Sequence, residues 1–210
     1  MDKLRLKFTK TGRAVYISHL DLMRTLQRVF FRAGLPLRYS EGFNPHAKIS
    51  IVLPLSVGTS SVTEYLDFWL TEDVPLADIV TRLNAAMPEG IEALDVWEAE
   101  TKGAELKWIE LTGRFTGCRD AAFYNEFFRR PELVVTRRTK RGEKTEDIAP
   151  YIRKAEFTDT PDGVLCDVIL SAQEPTVSPE LFVAAPGEDA PAYFRFERVK
   201  AYRADMTEFK

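Results

Sequence analysis

The hydrophobic pattern switches period repeatedly over the first hundred residues, and that switching restricts the chain to a fold mixing strands with helices. Leu4, Leu6 and Phe8 alternate with Arg5, Lys7 and Thr9, the two-residue period of a half-buried strand, and Thr11-Gly12 marks its turn. Ser18 then opens a helix: Asp21 lies three residues on, in the spacing of a capping box, and Gly34 with Pro36 supplies the stop. Within it Met23, Leu26, Phe30 and Ala33 mark a core face, while Arg24, Arg28 and Arg32 recur every fourth residue as a guanidinium stripe. Lys48 to Leu55 and Glu64 to Leu70 read as paired strands about Gly58-Thr59-Ser60, Pro75 to Met87 as a second helix, and Ile91 to Trp97 as a further strand. The order strand, helix, strand, strand, helix, strand is that of the split βαβ, or ferredoxin-like, unit, with residues 35–40 as an extra edge segment. Right-handed crossovers would set both helices on one sheet face.

A weaker version of that order recurs beyond the polar stretch Glu98 to Gly103. Glu105 to Phe115 reads as a strand, Asp120 to Arg130 as a helix, Leu133 to Arg138 and Val164 to Ser171 as strands, Ser178-Pro179-Glu180 as a helix start, and Tyr193 to Tyr202 as a last strand. The expectation is therefore an α+β protein of two tandem ferredoxin-like units with antiparallel sheets. Residues 1–100 would form the first and residues 101–210 a more divergent second. Arg137 to Lys144 reads as a basic hairpin tip or loop, and residues 145–162 carry no clear period.

With 210 residues, 45% of them hydrophobic, the chain can bury a core in each half. No apolar run approaches the 18 residues or so of a membrane span, and the start alternates charged with apolar residues instead of forming a signal segment, which points to a cytoplasmic protein with no membrane partner. Cys118 and Cys166 stand far apart, so no CxxC metal site, disulfide framework or iron–sulfur triad is written in the chain. The net charge of −3 hides segregation: residues 1–50 hold ten Lys or Arg against three acids, and residues 51–100 one against ten. A basic first quarter suits an anion-binding surface, or else the acidic stretch folds back against it.

Both histidines fall in polar, sharply patterned segments, Ile17 to Arg24 and Glu41 to Ser50. His19 takes the first helical position, where the dipole and free N–H groups favour neutral imidazole and attract anions; alternatively, Ser18 and Asp21 only cap the helix and His19 packs on Met23. Turn chemistry explains Gly42, Asn44 and Pro45 but not His46 or Lys48. If this loop lies over the helix start, His19, Asp21, Arg24, Asn44, His46 and Lys48 converge as a phosphate or anion site, and Ser18, Arg28, Arg32 and Phe43 are further binding candidates. His19, Asp21 and His46 would then also make a metal trio, though without a recognised ligand spacing. Tyr16, Tyr39, Phe43 and Tyr65 are candidates for stacking bases. Nucleophile elbow, Walker loop, dinucleotide fingerprint and HExxH are all absent from the sequence.

Lys10-Thr11-Gly12, Ile17 to Arg24, Leu35 to Ser50 and Pro54 to Gly58 resemble the radical SAM-linked, or radical SAM-associated, family of unknown function; Asp147 to Ile152 and Arg198 to Tyr202 add to the likeness, and Ala47 stands where a proline is expected. The resemblance implies a partner: a large radical SAM protein with a cobalamin-binding-type domain, in settings that handle RNA. The iron–sulfur cluster, S-adenosylmethionine and any cobalamin would belong to that partner, with no cofactor bound here. This chain would serve as an accessory module binding structured RNA, tRNA or rRNA. The alternatives are a metal-independent ribonuclease or RNA-modifying enzyme using His19 or His46, and a protein-interaction scaffold.

Overall fold

A computed structural model describes residues 2–139 and 142–210. The protein has an α+β fold in two compact units, residues 1–105 with Lys210, and residues 106–209. Among the described residues no helix is long and apolar enough to cross a membrane.

The first unit runs β1 (Leu4–Lys10), α1 (His19–Arg32), β2 (Ile49–Ile51), β3 (Ser60–Phe68), α2 (Leu76–Ala86) and β4 (Ile91–Glu98). Its sheet order is β4-β1-β3-β2, and each neighbouring pair is antiparallel. Leu6 and Phe8 on β1, Leu66 and Phe68 on β3, Leu26 and Phe30 on α1, and Ile79 and Leu83 on α2 are all buried in one cluster, so both helices cover the same sheet face. The Asn84 amide on α2 bonds both backbone groups of Ala93, at 2.9 and 2.8 Å, and pins the helix to the edge strand β4. β2 ends at Ile51, short of the expected Leu55, and residues 35–40 contribute isolated bridges rather than a strand.

The other face of β1 is not a solvent face. Arg5 is fully buried opposite Asp67 in the strand register, and its Nε and Nη2 donate to the two carboxylate oxygens at 2.6 and 2.9 Å. Nη1 donates to Thr101 Oγ1 and to the Lys210 carbonyl, while Lys3 lies 3.2 Å from Asp67. One bidentate charge pair thus fastens β1, β3, the 99–102 segment and the last residue. Lys10 is also buried, its ammonium donating to the Val15 and Ile17 carbonyls; burial pushes its pKa down, and the nearby Glu64 carboxylate opposes that shift.

The second unit runs β5 (Trp108–Thr116), α3 (Ala121–Phe127), β6 (Val134–Thr139), β7 (Gly142–Asp147), β8 (Ile152–Thr160), β9 (Gly163–Ser171), α4 (Pro179–Ala184) and β10 (Tyr193–Tyr202). Its sheet order is β10-β5-β9-β8, again with antiparallel neighbours. The strand read at Leu133 to Arg138 exists, but it pairs with β7 as a separate ribbon, and β8, from the stretch without a clear period, takes the sheet position. The reason is burial: the ribbon carries Arg137, Lys144 and Glu146 in ion pairs and offers little apolar surface, whereas β8 sends Phe157 among Phe115, Tyr124, Phe128 and Phe182. Asn125 clamps Phe157 as Asn84 clamps Ala93. Lys140 and Arg141, part of the expected basic tip, lie outside the described residues.

Candidate functional site

The start of α1 is a built corner. Residues Gly12–Tyr16 form a 3-10 turn held from beneath by Lys10 and tied to the following loop by Gly58 N–H donating to the Val15 carbonyl. Ser18 caps α1: its hydroxyl accepts from the Asp21 N–H at 3.2 Å and donates to the Asp21 carboxylate at 2.7 Å. Asp21, one methylene shorter than the usual Glu of a capping box, thus closes the box on the hydroxyl. The Ser18 hydroxyl first, and the Arg24 guanidinium after it, hold the Asp21 carboxyl below its ordinary value. His19 is exposed beside this cap.

Gly34, with φ of +63°, ends α1 and turns the chain into a hairpin over residues 37–49. Leu37 bridges Leu70, Tyr39 bridges Ala47, and Lys48 N–H donates to the Arg38 carbonyl. Ser40 and His46 brace the tip: the Ser40 Oγ accepts from the His46 N–H at 3.1 Å and lies 3.0 Å from Nδ1, which is also 3.3 Å from the Asn44 carbonyl. The loop therefore engages Nδ1 and leaves Nε2 without a protein partner among the described residues. Phe43, in the braced turn, is 109% exposed.

The two histidine segments do not share a mouth. The end of β1 is level with Ser61, and α1 starts from that end of the sheet; the hairpin springs from the opposite end, where Leu4 and Ile49 are level with Phe68. Between His19 and the hairpin stands the whole of α1, 14 residues or about 21 Å. The imagined convergence of His19 and Asp21 with Asn44, His46 and Lys48 is thus corrected: the short sequence gap was filled by a rod. Among the described residues no three His, Cys, Asp or Glu side chains form a group able to hold a metal ion, so His19, Asp21 and His46 are not a ligand trio. Grooves of about 410 Å³, beside Thr11 and Pro88, and about 230 Å³, beside Asp73 and Glu98, are lined by other residues.

The structure sorts the basic quarter into internal and external charges. Arg5 and Lys10 are buried as fasteners, whereas Arg13, Arg24, Arg28, Arg32 and Arg38 are exposed and Lys48 is half-buried. Arg24 pairs with Asp21 at 3.2 Å, Arg32 donates to the Ala86 carbonyl, and Arg28 has no ion-pair partner among the described residues. The stripe is real, and it also carries two apolar side chains that periodicity assigned no role: Leu20 is 64% and Phe31 86% exposed. Buried positions on α1 are Leu22, Leu26, Val29 and Phe30, so the core face is turned slightly from the expected one and leaves Phe31 outside. Of the other aromatics, Tyr16 and Tyr39 are exposed; Tyr65 is buried edge-on to Trp97, its hydroxyl accepting from Thr63, and cannot stack a base.

Both cysteines lie in the second unit, and both thiols are raised by burial, Cys166 to about 12.

Antiparallel sheets with helices on the sheet face, and a charged, ring-bearing helix end beside a braced hairpin, define an α+β protein with a surface site rather than an enclosed one. The chain belongs to the family described as "Uncharacterized protein conserved in bacteria (DUF2344)", whose model matches residues 3–179. A search of curated proteins found no match. Among solved structures, a chain in "Crystal Structure of a Cbf5-Nop10-Gar1 Complex" is similar in fold, with a TM-score of 0.51 at 12% identity over 94% of this chain and 48% of that one. This chain therefore spans about half the length of that relative.

Proposed function

We propose that this chain is an accessory substrate-binding module that takes hold of structured RNA, tRNA or rRNA, for a separate cobalamin-binding-type radical SAM protein. The observation that carries the reading is the outer face of α1, where Arg24, Arg28 and Arg32 stand exposed about 6 Å apart along the axis with Asp21 as the one exposed acid of the helix. The strand order of each unit, fourth, first, third, second, with helices after the first and third sheet strands, supports reading both as ferredoxin-like units. Two separated thiols raised by burial suit a division of labour in which cluster chemistry sits on the partner. A ribonuclease working through paired histidines is disfavoured, because His19 and His46 stand at opposite ends of α1.

Binding of tRNA measured against salt tests the proposal. Affinity is expected to fall as salt rises, and replacing Arg24, Arg28 and Arg32 together by glutamine is expected to lower the log–log slope by roughly 2 to 3. No binding at low salt, or a slope untouched by the triple replacement, rejects it.

A further inference from the structure

We infer that the hairpin end of the first unit is a stacking site for unpaired nucleotides, so that the RNA recognised there is a single-stranded loop or end rather than a duplex. The inference rests on the RNA reading above and specifies its ligand. Phe30 and Phe31 are neighbours, yet Phe30 is fully buried, 4.9 Å centroid to centroid from Phe68, while Phe31 is 86% exposed at the last turn of α1. At the same end the hairpin adds Tyr39, 55% exposed, and Phe43, 109% exposed in a turn braced by three hydrogen-bonding contacts between Ser40, Asn44 and His46 and by the Ser40 N–H to His46 carbonyl bond.

Three exposed rings at one end of the unit leave their flat faces open to a ligand. The charges at this end say which kind. Arg28, Arg32 and Arg38 are exposed and Lys48 is half-buried, against Glu41 as the exposed acid of the hairpin. Rings that take π-faces, beside cations that take phosphates, form the paired chemistry of single-strand binding. A duplex keeps its base faces stacked on one another, so it can meet the cations but not the rings. An acidic protein segment could meet the same cations; it is argued against by rings that stand apart on a helix and a loop instead of forming one apolar groove.

The experiment uses the full chain with a dye-labelled 12-nucleotide RNA of mixed sequence, alone and annealed to its complement, at low salt. The single strand is expected to bind more tightly than the duplex. Phe31→Ala and Phe43→Ala are each expected to weaken single-strand binding by about fivefold to a hundredfold while leaving duplex binding unchanged. Phe31→Trp is expected to keep the affinity, with its emission quenched on binding. Salt-dependent RNA binding that is indifferent to both alanine variants overturns this inference and leaves the broader reading standing. No RNA binding overturns both. If instead the alanine variants release a copurifying protein while RNA affinity is unchanged, the rings belong to a protein interface and the inference falls.

Discussion

Removing the Asp67 carboxylate is the most searching perturbation of this fold. Arg5 is fully buried, and Asp67 meets its guanidinium head-on through two bonds of 2.6 and 2.9 Å, while Thr101 Oγ1 and the backbone oxygen of Lys210 accept from Nη1 at 2.7 and 3.0 Å. In Asp67→Ala the buried guanidinium loses its bidentate carboxylate, and breaking a buried pair from one side costs about 3–5 kcal/mol. A domain of this size is held by about 5–15 kcal/mol, so the variant loses a large fraction of the first unit's stability. In urea, with a slope of about 2 kcal/mol per molar, the midpoint should drop by roughly 2 M. Backbone amide exchange in β1 and β3 should rise in step. Replacing both partners, Arg5→Met with Asp67→Leu, removes the stranded charge and is expected to lie closer to wild type than either single change. A midpoint shift below about 0.5 M for Asp67→Ala, or a double variant worse than both singles, refutes the claim that a desolvated charge pair fastens these strands.

Two further outcomes follow from the same geometry. Asp21 has a depressed carboxyl, so its contribution to α1 is fully present above the ordinary value of 3.8 and is lost as pH falls through its folded value; in Ser18→Ala the carboxyl should titrate nearer 3.8, followed by NMR of the side-chain carbon. Gly90 holds φ of +85°, and an added Cβ would sit 2.5 Å from the Thr11 carbonyl, so Gly90→Ala should cost about 1–3 kcal/mol or more in chemical denaturation, and an unchanged midpoint would contradict it.

The first unit was legible because each element announces itself locally: Leu4, Leu6 and Phe8 alternate, Ser18 sits at the N-cap it was assigned, and Gly34 stops the helix as expected. The second was less so. β8 buries Phe157 but little else completely, which leaves almost no period to detect, whereas the more regular Val134 to Thr139 segment pairs only with its own hairpin partner. Arg5 looked like a solvent-facing residue because alternation gives sides of a strand, not what covers them; its partner lies 62 residues away and only the β1–β3 register brings it opposite. Proximity along the chain likewise misled for the histidines, since a helix placed between two segments carries them apart.

The sequence by itself determined where the strands and helices of the first unit lie, how α1 is capped, and that its outer face is rich in arginine, because capping and amphipathic period act over a few residues. Tertiary structure alone decided that Phe30 packs inward while Phe31 faces water, that Arg5 and Lys10 are internal fasteners rather than binding charges, and that His19 and His46 part company. Those outcomes depend on strand register and on the rotation of a helix against its sheet, which are set by contacts between residues far apart in the chain.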